Sequence, residues 1–156
     1  MIHEHQRADR DDHFSFRCQN VKGFEEALAE VKEKKLGGAS ELCSDASVAA
    51  AVGFVGSAFF VQPPGVAKDS STWDAESIML YWAGSFAKDD CLKREKDDKT
   101  LCPLTYDENH GKAPEKEHLI PRAFQPSKMD VEFIRDIYGL DDSDEPERKS
   151  LVPLRG

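Results

Sequence analysis

The chain has 156 residues, a hydrophobic share of 39%, a charged share of 33% and 8 prolines, which fits one loop-rich domain with a modest core. A formal net charge of -9 and a pI near 5.0 argue against nucleic acid as a partner, because neutralising phosphates takes a basic face and here Lys and Arg alternate with acids. Cys18, Cys43, Cys91 and Cys102 make an even set with no CxxC pair, so disulfides and an oxidising compartment explain them better than a zinc ribbon or a redox motif.

Residues 1–20 are dense in His, Arg and Asp without a helical or strand period, which predicts a loop locked by side-chain hydrogen bonds. The opening Met-Ile-His-Glu-His-Gln-Arg carries no apolar run and is not a signal peptide. From Lys22 to Leu36, the residues Phe24, Ala27, Leu28 and Val31 recur at helical spacing, and Gly37-Gly38 close the run. Ser44 to Val52, with Ser44 or Asp45 as N-cap and several alanines, predicts a short buried helix. The next segment, Phe54 to Val61, reads equally as helix or strand. The apolar stretch Ala46 to Val61 is diluted by Ser47, Gly53, Gly56 and Ser57 and falls short of the roughly 20 residues that a membrane span takes.

Pro63-Pro64-Gly65 breaks the chain, and a polar loop is expected over Lys68 to Trp73. Lys88 to Lys99 is a charge run enclosed by Cys91 and Cys102, expected as a solvated loop tied off by a disulfide between them. Ser127-Lys-Met-Asp130 is a capping box with Asp for the usual Glu, leading into Val131, Phe133, Ile134, Ile137 and Tyr138 and stopping at Gly139. Asp141 to Gly156 has two prolines and little to bury, so residues 141–156 are expected to be an acidic, disordered tail. Four cysteines allow three connectivities, of which Cys18 with Cys43 and Cys91 with Cys102 is favoured on proximity along the chain.

The histidines are His3, His5, His13, His110 and His118, and no two stand in the His-x-x-x-His spacing that puts two imidazoles on one helical face around a metal. There is no glycine-rich phosphate loop and no Gly-x-Ser-x-Gly elbow. Three blocks nevertheless occur in a familiar order. His3-Glu4-His5-Gln6-Arg7-Ala8-Asp9-Arg10-Asp11 resembles the downstream end of the astacin zinc signature, in which a third histidine is followed by Glu and an Arg-x-Asp-Arg-Asp run. Cys18-Gln19-Asn20-Val21 continues in that register, and Ser77-Ile78-Met79-Leu80-Tyr81 resembles the Met-turn of astacins and wider metzincins, with a Phe86 region after it. Ser127 through Ile137-Tyr138 is similar to their last helix. The resemblance spans residues 1–140, and its details are closer to fungal astacin-like proteins than to the animal enzymes.

The resemblance implies a zinc metalloendopeptidase, cutting peptide or protein substrates with a metal-bound water, secreted and monomeric. It implies the lower subdomain of a metzincin: α+β, irregular and loop-rich, with two or three helices near residues 22–36, 44–52 and 127–139 and little sheet. His3 would be the third zinc ligand. Glu4 would receive the new N-terminus of a processed enzyme, and Met79 would floor the metal site. Tyr81 would ligate zinc at rest and swing to stabilise the oxyanion, while Arg7, Asp9, Arg10 and Asp11 would brace the ligand loop. His13 departs from a family tyrosine, and Leu80 and Trp82 flank Tyr81 where many members have His and Gly.

The His-Glu-x-x-His helix, which carries the other histidine ligands and the general base, is not in this sequence. The expectation is of a chain starting inside the motif, at an internal methionine taken for the start, with weak or no zinc binding and no catalysis alone. The competing readings are a non-catalytic secreted binding module and a non-functional gene fragment.

Overall fold

The computed structural model describes residues 3–63, 65, 72–106 and 117–140. The tail expected over residues 141–156, His110 and most of the loop before Trp73 lie outside them. The architecture is α+β and loop-rich. Among the described residues, five α-helices accompany one small antiparallel sheet, in the order β1-β2-β3.

The helix expected over residues 22–36 is α1 (Phe24–Glu33), which turns Phe24, Ala27 and Val31 into the core. It stops before the glycines. Lys35 takes the left-handed conformation at φ 55°, Lys35 N–H donates to Lys32 O (3.1 Å) and Leu36 N–H to Val31 O (2.9 Å). That is a Schellman closure with lysine in the position glycine usually fills, so Gly37-Gly38 follow the stop instead of making it. The helix expected over residues 44–52 is α3 (Ala46–Ala51), although only Ala49 of it is buried, and a further helix, α2 (Ala39–Ser44), precedes it. Asp45 divides the two: its carboxylate accepts Ser47 N–H (2.8 Å) and Val48 N–H (3.3 Å) to cap α3. The ambiguous segment after Gly53 is a 3-10 turn, Val55–Phe59, which buries Phe59 completely.

The charge run from Lys88 to Lys99 is not the open loop expected. It forms α4 (Asp89–Arg94) and a 3-10 turn, Lys99–Leu101. The reason is tertiary: Cys91 is fully buried, which gives a polar helix one anchored residue, and Asp98 caps the turn that returns to Cys102. Both favoured disulfides form. Cys18–Cys43 fastens the N-terminal loop to α2 with a Cα–Cα distance of 5.8 Å, and Cys91–Cys102 closes the second loop at 4.7 Å.

β1 (Phe14–Phe16) falls within the segment read as loop; it pairs Phe14 with Tyr106 and Phe16 with Leu104 of β2 (Leu104–Tyr106). The edge strand β3 (His118–Leu119) pairs with the other side of β2. A partly buried ion pair pins this sheet: Arg17 donates to Glu117 Oε1 (2.5 Å) and to Thr105 Oγ1 (3.0 Å), and Thr105 in turn donates to Glu117 Oε2 (2.6 Å). The last helix is α5 (Lys128–Tyr138), started by Ser127 and ended by Gly139 at φ 62°, as its capping box and glycine predict. One cluster of buried side chains, including Phe14, Val21, Leu42, Phe59, Leu80 and Leu104, joins the sheet, α1, α2 and the turns.

Candidate functional site

His3 and Met79, 76 positions apart, meet through a 2.5 Å contact between His3 Nδ1 and the Met79 carbonyl oxygen. A carbonyl only accepts, so Nδ1 carries a proton, and in the neutral ring the lone pair is then on Nε2. Among the described residues no group bonds Nε2. This is the arrangement in which a backbone carbonyl fixes the tautomer and orientation of a ligating imidazole. The Tyr81 ring packs edge-on against His3, with centroids 4.9 Å apart.

The turn that offers the Met79 carbonyl is itself built from α5. Asp130 accepts Ser77 Oγ–H (2.6 Å) and Ile78 N–H (2.9 Å), while the Ser77 hydroxyl accepts Met79 N–H (3.0 Å). Asp130 also accepts Ser127 N–H (2.9 Å), and the Ser127 hydroxyl donates to Asp74. Burial opposes ionisation of Asp130, but the bonds from Ser77, Ile78 and Ser127 outweigh it and hold its carboxyl below the usual range. One residue therefore starts a helix and shapes the loop under His3. The sequence marks Asp130 only as the capping-box acid; no local signal announces that Ser77 and Ile78 share it. Met79 is half-buried and Ile78 is 44% exposed. Together with Pro126, Val131, Ile134 and Leu140 they line an apolar groove of about 320 Å³.

His5, two residues on, has a different fate. It is 0% exposed, its Nδ1 accepts Tyr81 N–H (3.3 Å), and its Nε2 donates to Ala58 O (3.2 Å). Burial first, and the neighbouring His3 second, lower its pKa to about 3, so it is a neutral core histidine with both nitrogens engaged. Its ring lies 4.2 Å from that of Tyr81 and 5.6 Å from that of Phe59. His13 stacks on Trp73 with centroids 4.5 Å apart.

Behind His3, Glu4 is buried and accepts Asp74 N–H (3.1 Å). Burial raises its pKa, against the pull of that N–H and of Arg7, 3.8 Å away. Arg7 is 5% exposed and forms a two-pronged pair with Asp9 (2.9 and 3.0 Å). Arg10 donates to Phe59 O (2.7 Å), pairs with Asp11 (2.7 Å) and lies over the Phe16 ring. Arg10 thus ties the N-terminal loop to the turn at Phe59, while Arg7, braced by Asp9, reaches the Thr72 carbonyl (3.3 Å). The Asp11 side chain is on the solvent side, 75% exposed.

No protein-family model matches the chain, and no curated protein matches it in sequence. The donor set can be judged on its own terms. Zinc in a catalytic site takes three protein ligands and a water, and the described residues bring His3 Nε2 and the neighbouring Tyr81 phenol, with His5 and His13 engaged elsewhere. That set alone does not complete a tetrahedral site. Among the described residues, Cys91, Glu95 and Cys102 form the one other group close enough to hold an ion, but their two sulfurs are bonded to each other.

Proposed function

We propose that this chain is the C-terminal half of an astacin-like, secreted zinc metalloendopeptidase, in which His3 is a zinc ligand and Tyr81 the oxyanion-stabilising phenol. The remaining histidine ligands and the general base are residues that this sequence does not contain. The observation that carries the reading is the bond from His3 Nδ1–H to the Met79 carbonyl, which leaves Nε2 as the donor beside Tyr81, at a turn whose residues resemble a Met-turn although it lies further from His3 along the chain than is usual in the family. In that reading Met79 and Ile78 wall the site, Glu4 is the acid held ready for an ammonium group, and Arg7, Asp9 and Arg10 keep the ligand loop rigid. Two disulfides fit a secreted protein, and among the described residues no helix is long and apolar enough to cross a membrane.

The test has two parts. Zinc titrated calorimetrically into the oxidised chain should bind weakly, and His3→Ala should abolish that binding. The transcript frame that precedes Met1 should encode His-Glu-x-x-His. Zinc binding indifferent to His3→Ala, or a frame without that motif, sinks the peptidase reading and leaves a binding module or a gene relic.

A further inference from the structure

The Cys91–Cys102 disulfide lies beside Glu95, whose carboxylate has no hydrogen-bond or ion-pair partner among the described residues. Cys91, in the first turn of α4, and Glu95, the cap just past its last residue, stand four residues apart on one face, and Cys102 returns to them across the loop. One Sγ from each cysteine and a Glu95 oxygen all lie within 4.8 Å of one another. Both cysteines are fully buried and Glu95 is half-buried. Among the described residues Glu95 forms no ion pair, either with its neighbour Lys96 or with Lys93, which pairs with Asp89 (3.6 Å), and Lys99 donates to the Glu117 carbonyl (2.8 Å).

The backbone holds the two cysteines together without the sulfur bond. Cys91 N–H donates to Lys88 O (3.2 Å) and Cys102 N–H to Lys99 O (3.1 Å). Lys88 N–H donates to Asn20 O (3.0 Å), and the Asn20 side chain donates to Thr100 O (2.7 Å), so one residue grips both ends of the loop. Cleaving the bond therefore leaves two thiols and a carboxylate already gathered.

We propose that reduction converts this disulfide into a zinc site made of Cys91, Cys102 and Glu95, so that the loop is closed by a covalent bond in oxidising surroundings and by a metal in reducing ones. Two molecules of a small thiol supply two electrons and two protons; the S–S bond breaks to two thiols and the reductant leaves as its own disulfide. Zn²⁺ then displaces both thiol protons to solvent, binding two thiolates and one carboxylate oxygen, with water in the fourth position on the exposed side of Glu95. Cys18–Cys43 has no such third donor among the described residues, so the exchange belongs to one disulfide only. The proposal does not depend on His3 or on the peptidase reading.

The experiment uses the whole chain reduced with a phosphine, which becomes the phosphine oxide, and then challenged with iodoacetamide with and without Zn²⁺. Peptide mass spectrometry should show alkylation of Cys91 and Cys102 slowed by about tenfold or more by zinc, with Cys18 and Cys43 unprotected. Cobalt in place of zinc should give the thiolate-to-metal charge-transfer absorption, retained in His3→Ala and weakened in Glu95→Gln. If reduction loosens the fold, zinc should restore its far-ultraviolet dichroism, and the labelling is read under those conditions. Equal labelling of all four cysteines with and without zinc, or protection unchanged by Glu95→Gln, overturns the proposal.

Discussion

Acidification should destabilise this protein well above the range in which carboxylates titrate, and His5 is the cause. Its pKa is lowered from 6.5 to about 3, so between those values the unfolded chain takes up a proton that the folded one refuses. By linkage, stability is then greatest above pH 6.5 and falls as the pH drops toward 3. At pH 5 the unfolded state gains about 2 kcal/mol from protonating this one residue and the folded state almost nothing, while at pH 7 the gain is only about 0.2 kcal/mol. The loss between pH 7 and pH 5 is therefore about 2 kcal/mol, a large share of the roughly 5–15 kcal/mol that holds a domain together.

Glu4 opposes this, since a carboxyl raised by burial favours the folded state as pH falls toward its folded pKa. Asp130, with its lowered pKa, acts only at lower pH. A variant separates them. In His5→Gln the amide can accept Tyr81 N–H and donate to Ala58 O but cannot titrate. Urea unfolding at pH 7 and pH 5, followed by Trp73 and Trp82 fluorescence, should show a midpoint shift of about 1 M in the parent and a much smaller one in the variant. A His5→Gln protein as sensitive to pH as its parent would refute the argument.

Asp130→Ala should cost about 2–3 kcal/mol of unfolding free energy, because it strips the Ser77 hydroxyl and the Ile78 and Ser127 amides of one charged acceptor. Asp130→Asn should recover part of that in the same urea titration. Glu117→Gln should cost about 1–3 kcal/mol by removing the negative charge that faces the partly buried Arg17 guanidinium; a change near zero would mean that water reaches this pair. Gly84→Ala should lower the melting temperature, since the added methyl would stand 2.2 Å from the Trp82 ring, and overpacking of this kind costs about 1–3 kcal/mol. Removing Cys18–Cys43, which spans 25 residues, should cost about 3.5 kcal/mol by chain entropy, measured with Cys18→Ala/Cys43→Ala.

Local signals were enough for some elements. Ser127, Asp130 and Gly139 mark both ends of α5 because capping is a matter of neighbours three residues apart, and the period of Phe24, Ala27 and Val31 writes α1 in the same way. The disulfides too follow the shortest connectivity. The loop-rich character was readable from the charged share and the prolines, whereas α+β with little sheet was what the family resemblance implied. Other features depend on residues far apart in the chain. β1 is a Phe-Ser-Phe alternation of three residues, too short to read as a strand until Leu104–Tyr106 arrives to satisfy its backbone. The run after Lys88 is helical only because Cys91 is buried elsewhere in the fold.

The sharpest case is His3 against His5. Both are the same side chain, two positions apart, and nothing in the sequence gives one of them a free nitrogen. The approach of Ala58 and of the Tyr81 amide uses up both nitrogens of His5, whereas His3 meets a single carbonyl and keeps Nε2. Residue type and spacing set what each imidazole is able to do; the distant backbone groups that reach it set what it does, because a hydrogen bond answers to position in space and not to position along the chain.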